Sequence, residues 1–248
     1  MRIVLVLSEI TYVPDNCNGL LREIVEKNSK HICGLVVLTN FSLEIILKII
    51  WLYTTGCPKV ATALLINIFG LLSLQKNRIL KEHQISIIKA KDMNQTAIIE
   101  WTKNHHVDCI INVRTRSIYR KNILETPRLG CFNIHHGLLP KYRGMYCDLY
   151  ALHENRSAGI SLHKMNEKID DGNIIYTKVV SNNKEKDYLK YLSLVRNAEI
   201  MLINKFIRFL EINDNPPTGK VNKSQNVVYT RTPTKAMIKQ LQKNGMIL

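Results

Sequence analysis

Asn133 and His135 lie two apart in the run CFNIH, so on a β-strand both project to one face. That face would carry an amide donor beside an imidazole. The chain leaves the run through Gly137 and Pro140. Asp170 comes later, in the turn-like sequence Asp170-Asp171-Gly172-Asn173, where a glycine turn can swing its carboxylate over the same strand end. Together the three groups suit acyl transfer to an amine: the amide N–H stabilises a developing oxyanion, the imidazole moves a proton, and the carboxylate holds the imidazolium. Each also has an ordinary structural use, since asparagine at a strand end satisfies backbone groups and aspartate before glycine makes turns. His136 faces the other side of the strand, while His105 and His106 close a helix, where the dipole favours cations. No histidine or cysteine spacing supports a metal site, so none is expected.

Positioning these residues requires a sheet. The first 135 residues alternate short β-branched runs with helical patterns, the signature of parallel strands joined by crossovers. Strands are predicted at Ile3 to Ser8, Ile32 to Leu38, Ile85 to Ile88, Val107 to Val113 and Cys131 to His135. Helices are predicted at Leu20 to Lys27, Leu43 to Tyr53, Ala61 to Leu74 and Gln95 to Asn104, the last with Asn94 as N-cap. The class is α/β, a doubly wound and mostly parallel sheet. A loop from Gly137 to Tyr146 precedes a short helix, Asp148 to Asn155, and two strands, Ala158 to Met165 and Ile174 to Ser181. Leu192, Val195, Ala198, Leu202, Phe206 and Phe209 then mark one face of a long amphipathic helix. Pro216 and Pro217 break the chain, which divides it into a catalytic domain, 1–212, and a short extension, 213–248, with room for a hairpin and a helix.

The 248 residues carry 35 Lys plus Arg against 20 Asp plus Glu, a formal charge of +15, which implies an anionic partner. A hydrophobic content of 46% excludes disorder and low complexity. Six cysteines form no C-x-x-C pair and read as reduced, buried thiols of a cytoplasmic protein, and RIVLVLS is too short for an export signal. The uncharged stretch Val60 to Gln75 is too short to span a bilayer and reads as buried helix. With Lys48, Lys59 and Lys76 nearby, peripheral membrane contact is the lesser reading. Residues 215–248 hold six basic side chains and no acid, plainly read as a solvated basic tail. Neither G-x-G-x-x-G nor a P-loop occurs, which disfavours dinucleotide and P-loop nucleotide sites.

The segment resembles the folate-dependent formyltransferases: glycinamide ribonucleotide transformylase, methionyl-tRNA formyltransferase and the sugar-nucleotide N-formyltransferases. Their pattern of N-x-H, L-L-P-x-Y-R-G, T-G-V-T-x-H-x-M and D-x-G is matched in order by Asn133-Ile134-His135, Leu138 to Gly144, Gly159 to Met165 and Asp170-Asp171-Gly172. The resemblance implies Asn133, His135 and Asp170 as the catalytic trio and N10-formyltetrahydrofolate as co-substrate. It further implies that Arg114, Thr115, Arg116, Ser117, Ile118 and Tyr119 wrap the pterin, largely through backbone atoms. Gly137, Leu138, Leu139, Ser161, His163 and Asp171 would complete the folate site, with Tyr142, Arg143, Tyr146 and Tyr150 on the acceptor side. The chain departs from the pattern at His136, where proline is usual, and at Cys147 and Tyr150, where proline and tryptophan are common.

The acceptor is expected to be a nucleotide-linked amino sugar, with a dTDP-linked 4-amino-4,6-dideoxyhexose favoured and surface polysaccharide (O-antigen) synthesis as its setting. SEITYVPDN is not the Gly/Ser-rich phosphate loop of glycinamide ribonucleotide enzymes, and the extension leaves no room for the barrel domain of the tRNA enzymes. A tRNA formyltransferase, a formyltetrahydrofolate hydrolase and a non-catalytic binding module are the alternatives, and no nucleic acid partner is expected. The run SQNVVYTR suggests a strand pairing across a homodimer.

Overall fold

Alternate residues of the first strand, β1 (Ile3–Ser8), belong to different cores: Ile3, Leu5 and Leu7 to one hydrophobic cluster, Val4 and Val6 to another. A strand that is buried on both faces reads as an unbroken apolar run, and such a strand belongs inside a sheet covered by helices on each side. The computed structural model describes residues 1–70, 75–182 and 185–248. After β1 come a 3₁₀ turn (Pro14–Cys17), α1 (Asn18–Asn28), β2 (Ile32–Leu38), α2 (Leu43–Thr54), α3 (Pro58–Phe69), α4 (Gln75–Glu82) and β3 (Ser86–Ala90). Then follow α5 (Thr96–Asn104), β4 (Cys109–Val113), α6 (Lys121–Leu124), β5 (Gly130–His135), β6 (Tyr142–Gly144) and α7 (Cys147–His153). The chain ends with β7 (Ala158–Lys164), β8 (Ile174–Ser181), α8 (Tyr188–Asn213), β9 (Val228–Thr230) and α9 (Lys235–Lys243).

The main sheet has the order β3-β2-β1-β4-β5-β7-β8. Its first five strands are parallel, and β7 and β8 add on antiparallel. The order reverses between β1 and β4, the switch point at whose carboxyl ends ligands of such sheets bind. Helix α8 lies in the larger core, burying Leu192, Val195, Ala198, Leu202 and Phe206 as its periodicity predicts. Its N-cap is Asp187, which accepts from the N–H groups of Leu189 and Lys190.

Several expectations need correction. Asn94 does not cap α5, whose N-cap is Gln95. The Asn94 side chain instead donates to the Ile118 carbonyl at 2.8 Å and accepts from the Arg120 N–H at 2.7 Å, tying down the loop after β4. The expected helix Ala61 to Leu74 begins earlier, as α3, with Pro58 in its first turn; residues 71–74 lie outside the described ones. It is not buried: Ile66 and Phe69 are 61% and 65% exposed. Helix α4, with Ile79 and Leu80 its only apolar residues, escaped the sequence reading. The backbone of the basic extension is docked, while its six basic side chains stay exposed. Its strand, β9, pairs parallel with β6 of the same chain along one edge rather than forming a hairpin within the extension. All six cysteines are free thiols. Among the described residues no helix is long and apolar enough to cross a membrane.

Candidate active site

Register brings three polar residues into one row. Asn112 on β4 sits opposite Asn133 on β5, and Asn133 sits opposite His163 on β7. The Asn112 amide donates to Asn133 Oδ1 at 2.8 Å, while its own oxygen accepts from Thr115 Oγ1 at 2.6 Å and the Tyr119 hydroxyl at 3.2 Å. With its oxygen occupied, Asn133 turns Nδ2 outward, 3.2 Å from His163 Nε2 and 3.4 Å from Asp170 Oδ1.

Asp170 arrives on a tight turn. Its φ of 49° is left-handed, and Gly172 passes so close to β7 that a Cβ there would lie 1.8 Å from the Lys164 carbonyl oxygen. Its carboxylate oxygens lie 3.3 Å from His135 Nδ1 and 3.3 Å from His163 Nε2, and accept the Gly144 N–H at 2.8 Å. Burial opposes ionisation of Asp170, yet His135, His163 and the Gly144 N–H overcome it and hold the carboxyl down at about 2. His135 is itself buried. Its Nε2–H donates to the Tyr142 carbonyl at 2.9 Å, which directs Nδ1 to Asp170. Burial lowers the imidazole pKa, and the Asp170 charge only partly restores it. An imidazole beside a fixed carboxylate and an amide N–H can move a proton while an oxyanion is stabilised.

A family model described as formyl transferase matches residues 69–207, more than half of the chain. The chain belongs to the formyl transferase family. Among curated relatives, the bifunctional polymyxin resistance protein ArnA of Wigglesworthia glossinidia brevipalpis is 32% identical over 126 residues, 50% of this chain and 19% of that protein. The methionyl-tRNA formyltransferase of Agathobacter rectalis is 35% identical over 99 residues, 40% of this chain and 32% of that protein. The chain thus spans a third or less of the length of these two relatives. A solved sugar N-formyltransferase from a Shewanella species shares the fold with a TM-score of 0.59 at 17% identity, covering 93% of this chain and 76% of that one.

In this formyl transferase family member the expected trio converges, and the other candidate residues divide into two groups. Arg114, Thr115 and Tyr119 turn their side chains inward: Arg114 pairs with buried Glu199 at 2.5 Å, while Thr115 and Tyr119 serve Asn112. Ser117 sends its hydroxyl to the Met93 N–H, and Ile118 is exposed. Gly137, Leu138 and Leu139 fold back over His135, and a Cβ on Gly137 would lie 2.5 Å from the imidazole. Ser161, wholly buried, fixes this loop by donating to the Gly137 carbonyl at 2.7 Å and accepting the Leu139 N–H at 3.0 Å; it supports the site from beneath rather than lining it.

Two acceptor-side expectations are corrected. Tyr142 is buried, with its hydroxyl on Glu154 at 2.6 Å, and Arg143 is buried against Asp171 and the Asn222 carbonyl. Both, with Asp171, brace the site. Tyr146 and Tyr150 remain partly open. Arg116 reaches the Tyr146 hydroxyl at 2.6 Å, where Lys48 of α2 also donates at 2.9 Å.

Sequence reasoning missed Asn112, Asn222, Glu199, Tyr12 and Lys48. Asn112 was detectable in principle, since an amide inside the apolar run CIINV needs a buried partner. Glu199 joins Arg114 and His136, the latter at 2.8 Å, and Tyr12 stacks between Tyr146 and Tyr188; these depend on long-range packing alone. Among the described residues no group of three or more His, Cys, Asp or Glu side chains is arranged to hold a metal.

Proposed function

We propose that the chain transfers a formyl group from N10-formyltetrahydrofolate to the amine of a nucleotide-linked amino sugar, a dTDP-linked 4-amino-4,6-dideoxyhexose being the favoured acceptor. The observation that carries the transfer is the convergence of Asn133 Nδ2 and His135 Nδ1 on the Asp170 carboxylate, at 3.4 and 3.3 Å, at the carboxyl end of β5. The donor, when bound, supplies an activated formyl carbon. Residues 1–212 carry the catalytic machinery in this reading, and 213–248 complete it. Thr115, Arg116, Ser117 and Ile118 hold the pterin through their main chain at the switch point. Asn133 Nδ2 donates to the oxygen on which charge develops as the amine attacks, and His135 takes the amine proton and passes it toward the departing nitrogen. Asp170 keeps the imidazole oriented and stabilises its charged form.

The acceptor assignment is supported by a cationic pair. Lys48 and Arg116 converge on the Tyr146 hydroxyl and lie 5.7 and 5.5 Å from its ring centre. Among the described residues neither is ion-paired with a carboxylate. Two cations brought together without an acid favour an anion between them, and a diphosphate satisfies both.

Release of tetrahydrofolate from N10-formyltetrahydrofolate, followed spectrophotometrically with dTDP-, UDP- and GDP-linked amino sugars, methionyl-tRNA and no acceptor, tests the reading. Release that requires one nucleotide sugar supports it. Release that requires methionyl-tRNA overturns the acceptor, and release with no acceptor makes the protein a hydrolase.

A further inference from the structure

Helix α2, LEIILKIIWLYT, is apolar almost all round, and a helix of that kind is normally buried on all sides or faces lipid. Here only Ile49 and Leu52 are buried. Leu43, Leu47 and Ile50, spaced for one helical face, are 70%, 56% and 55% exposed, Trp51 is exposed beside them, and Ile66 and Phe69 stand out from α3. The two helices form a hairpin held by a 2.8 Å bond between the Tyr53 and Thr62 hydroxyls. The hairpin ends at Phe69, the residue at which the family match begins, so all but its last residue lies outside that match.

Charge indicates what covers this face. Gln242, in the last turn of α9, donates to the Gly56 carbonyl in the hairpin turn, and Lys59 donates its N–H to the Leu248 carbonyl. The basic extension is therefore anchored to the hairpin. Lys235, Lys239 and Lys243 recur every four residues along α9, all exposed, opposite the buried Ile238 and Leu241. A second copy docking here in a symmetric pair would bring each hairpin and its lysines against their own duplicates. With a net charge of +15 per chain that arrangement is repulsive, whereas an anionic surface is attracted to the same lysines while the apolar side chains enter it.

We infer that the α2–α3 hairpin, together with the α9 lysines, is a docking surface for an anionic phospholipid bilayer, entered in the plane of the headgroups without spanning the membrane. This inference does not rest on the proposed reaction: Lys48 of α2 faces the acceptor side there, but the exposed Leu43, Leu47, Ile50 and Trp51 take no part in it.

Sedimentation with phosphatidylcholine vesicles containing or lacking phosphatidylglycerol tests it. The full chain should pellet with the anionic vesicles and stay in solution with the neutral ones. Lys239→Glu and Lys243→Glu should each weaken binding by about fivefold or more, the worth of one lysine at an anionic surface. Leu47→Glu with Ile50→Glu, at exposed positions that leave the core intact, should abolish it. The chain has two tryptophans, and Trp101 is stacked on His105, so a blue shift of emission on adding anionic vesicles reports Trp51 and should vanish in Trp51→Phe. That wild-type signal does not depend on any variant folding. Failure to pellet with an unshifted emission would overturn the inference, as would a dimer in sedimentation velocity that the Leu47→Glu, Ile50→Glu pair converts to monomer.

Discussion

Replacing Asp170 with asparagine isolates one charge. The side chains match in size, and asparagine tolerates the left-handed φ of 49° at this position. The carboxyl is held at about 2 against its ordinary 3.8. At about 1.4 kcal/mol for each pH unit between those values, its charge stabilises the fold by about 2 kcal/mol at neutral pH. Solvent screens this little, since the side chain is only 11% exposed. Because the folded pKa is depressed, the contribution is complete above 3.8 and is lost as pH falls through about 2. Denaturant unfolding should therefore show Asp170→Asn weaker by about 2 kcal/mol at neutral pH, with the wild-type and variant stabilities converging in strong acid. Tetrahydrofolate release should fall by roughly a hundredfold to ten-thousandfold, the range for losing a positioned acid–base group. Equal stability at neutral pH, or turnover within about threefold of wild type, would refute the assignment of Asp170 as the charge that positions His135.

The acid limb of the pH profile of kcat/KM should lie below 6.5, because burial lowers the His135 pKa; Asp170→Asn should move any residual limb lower still, since it removes the charge that raises that pKa. Asn112→Leu leaves Asn133 Oδ1 without its donor, so kcat should drop by about tenfold or more, with stability lower by about 1–3 kcal/mol in urea unfolding. Glu199→Ala strands the buried Arg114 guanidinium and should cost about 3–5 kcal/mol, whereas restoring the acid with Glu199→Asp should recover part of the loss in thermal unfolding.

The alternation of apolar runs made the sheet legible, because a strand buried on both faces can hardly read otherwise. The convergence of Asn133, His135 and Asp170 was legible as well: Asn133 and His135 share a face by a period of two, and Asp170 precedes a glycine that the turn requires. What stayed hidden depended on register and on distant packing. Nothing local says that Asn112 lies opposite Asn133, or that Glu199 on α8 meets Arg114 and His136. The hairpin was misread for a different reason. The hydrophobicity of Val60 to Gln75 predicted burial, but α3 buries only a narrow stripe, Ala61, Leu64 and Asn67, so composition fixed its chemistry and not its surroundings.

The docked extension explains why a turn as strained as Asp170-Asp171-Gly172 stays in one place. The Asn222 amide donates to the carbonyls of Asp170 at 2.8 Å and Gly172 at 3.0 Å, closing the turn from the side opposite the histidines. Thr230 on β9 donates to the Met145 carbonyl at 2.7 Å and accepts the Met145 N–H through its own carbonyl at 3.1 Å. That fixes Gly144, whose φ of 97° and close approach to the Thr230 carbonyl leave no space for a side chain. Gly144 in turn supplies the N–H that Asp170 accepts. The acid is therefore located by β7 beneath it, by β6 beside it and by the extension behind it, and a residue far along the chain sets its distance to His135. A polar site assembled in this way is rigid because each of these donors already has its acceptor, so loosening Asn222 or Thr230 releases Asp170 without touching the strands that carry Asn133, His135 and His163.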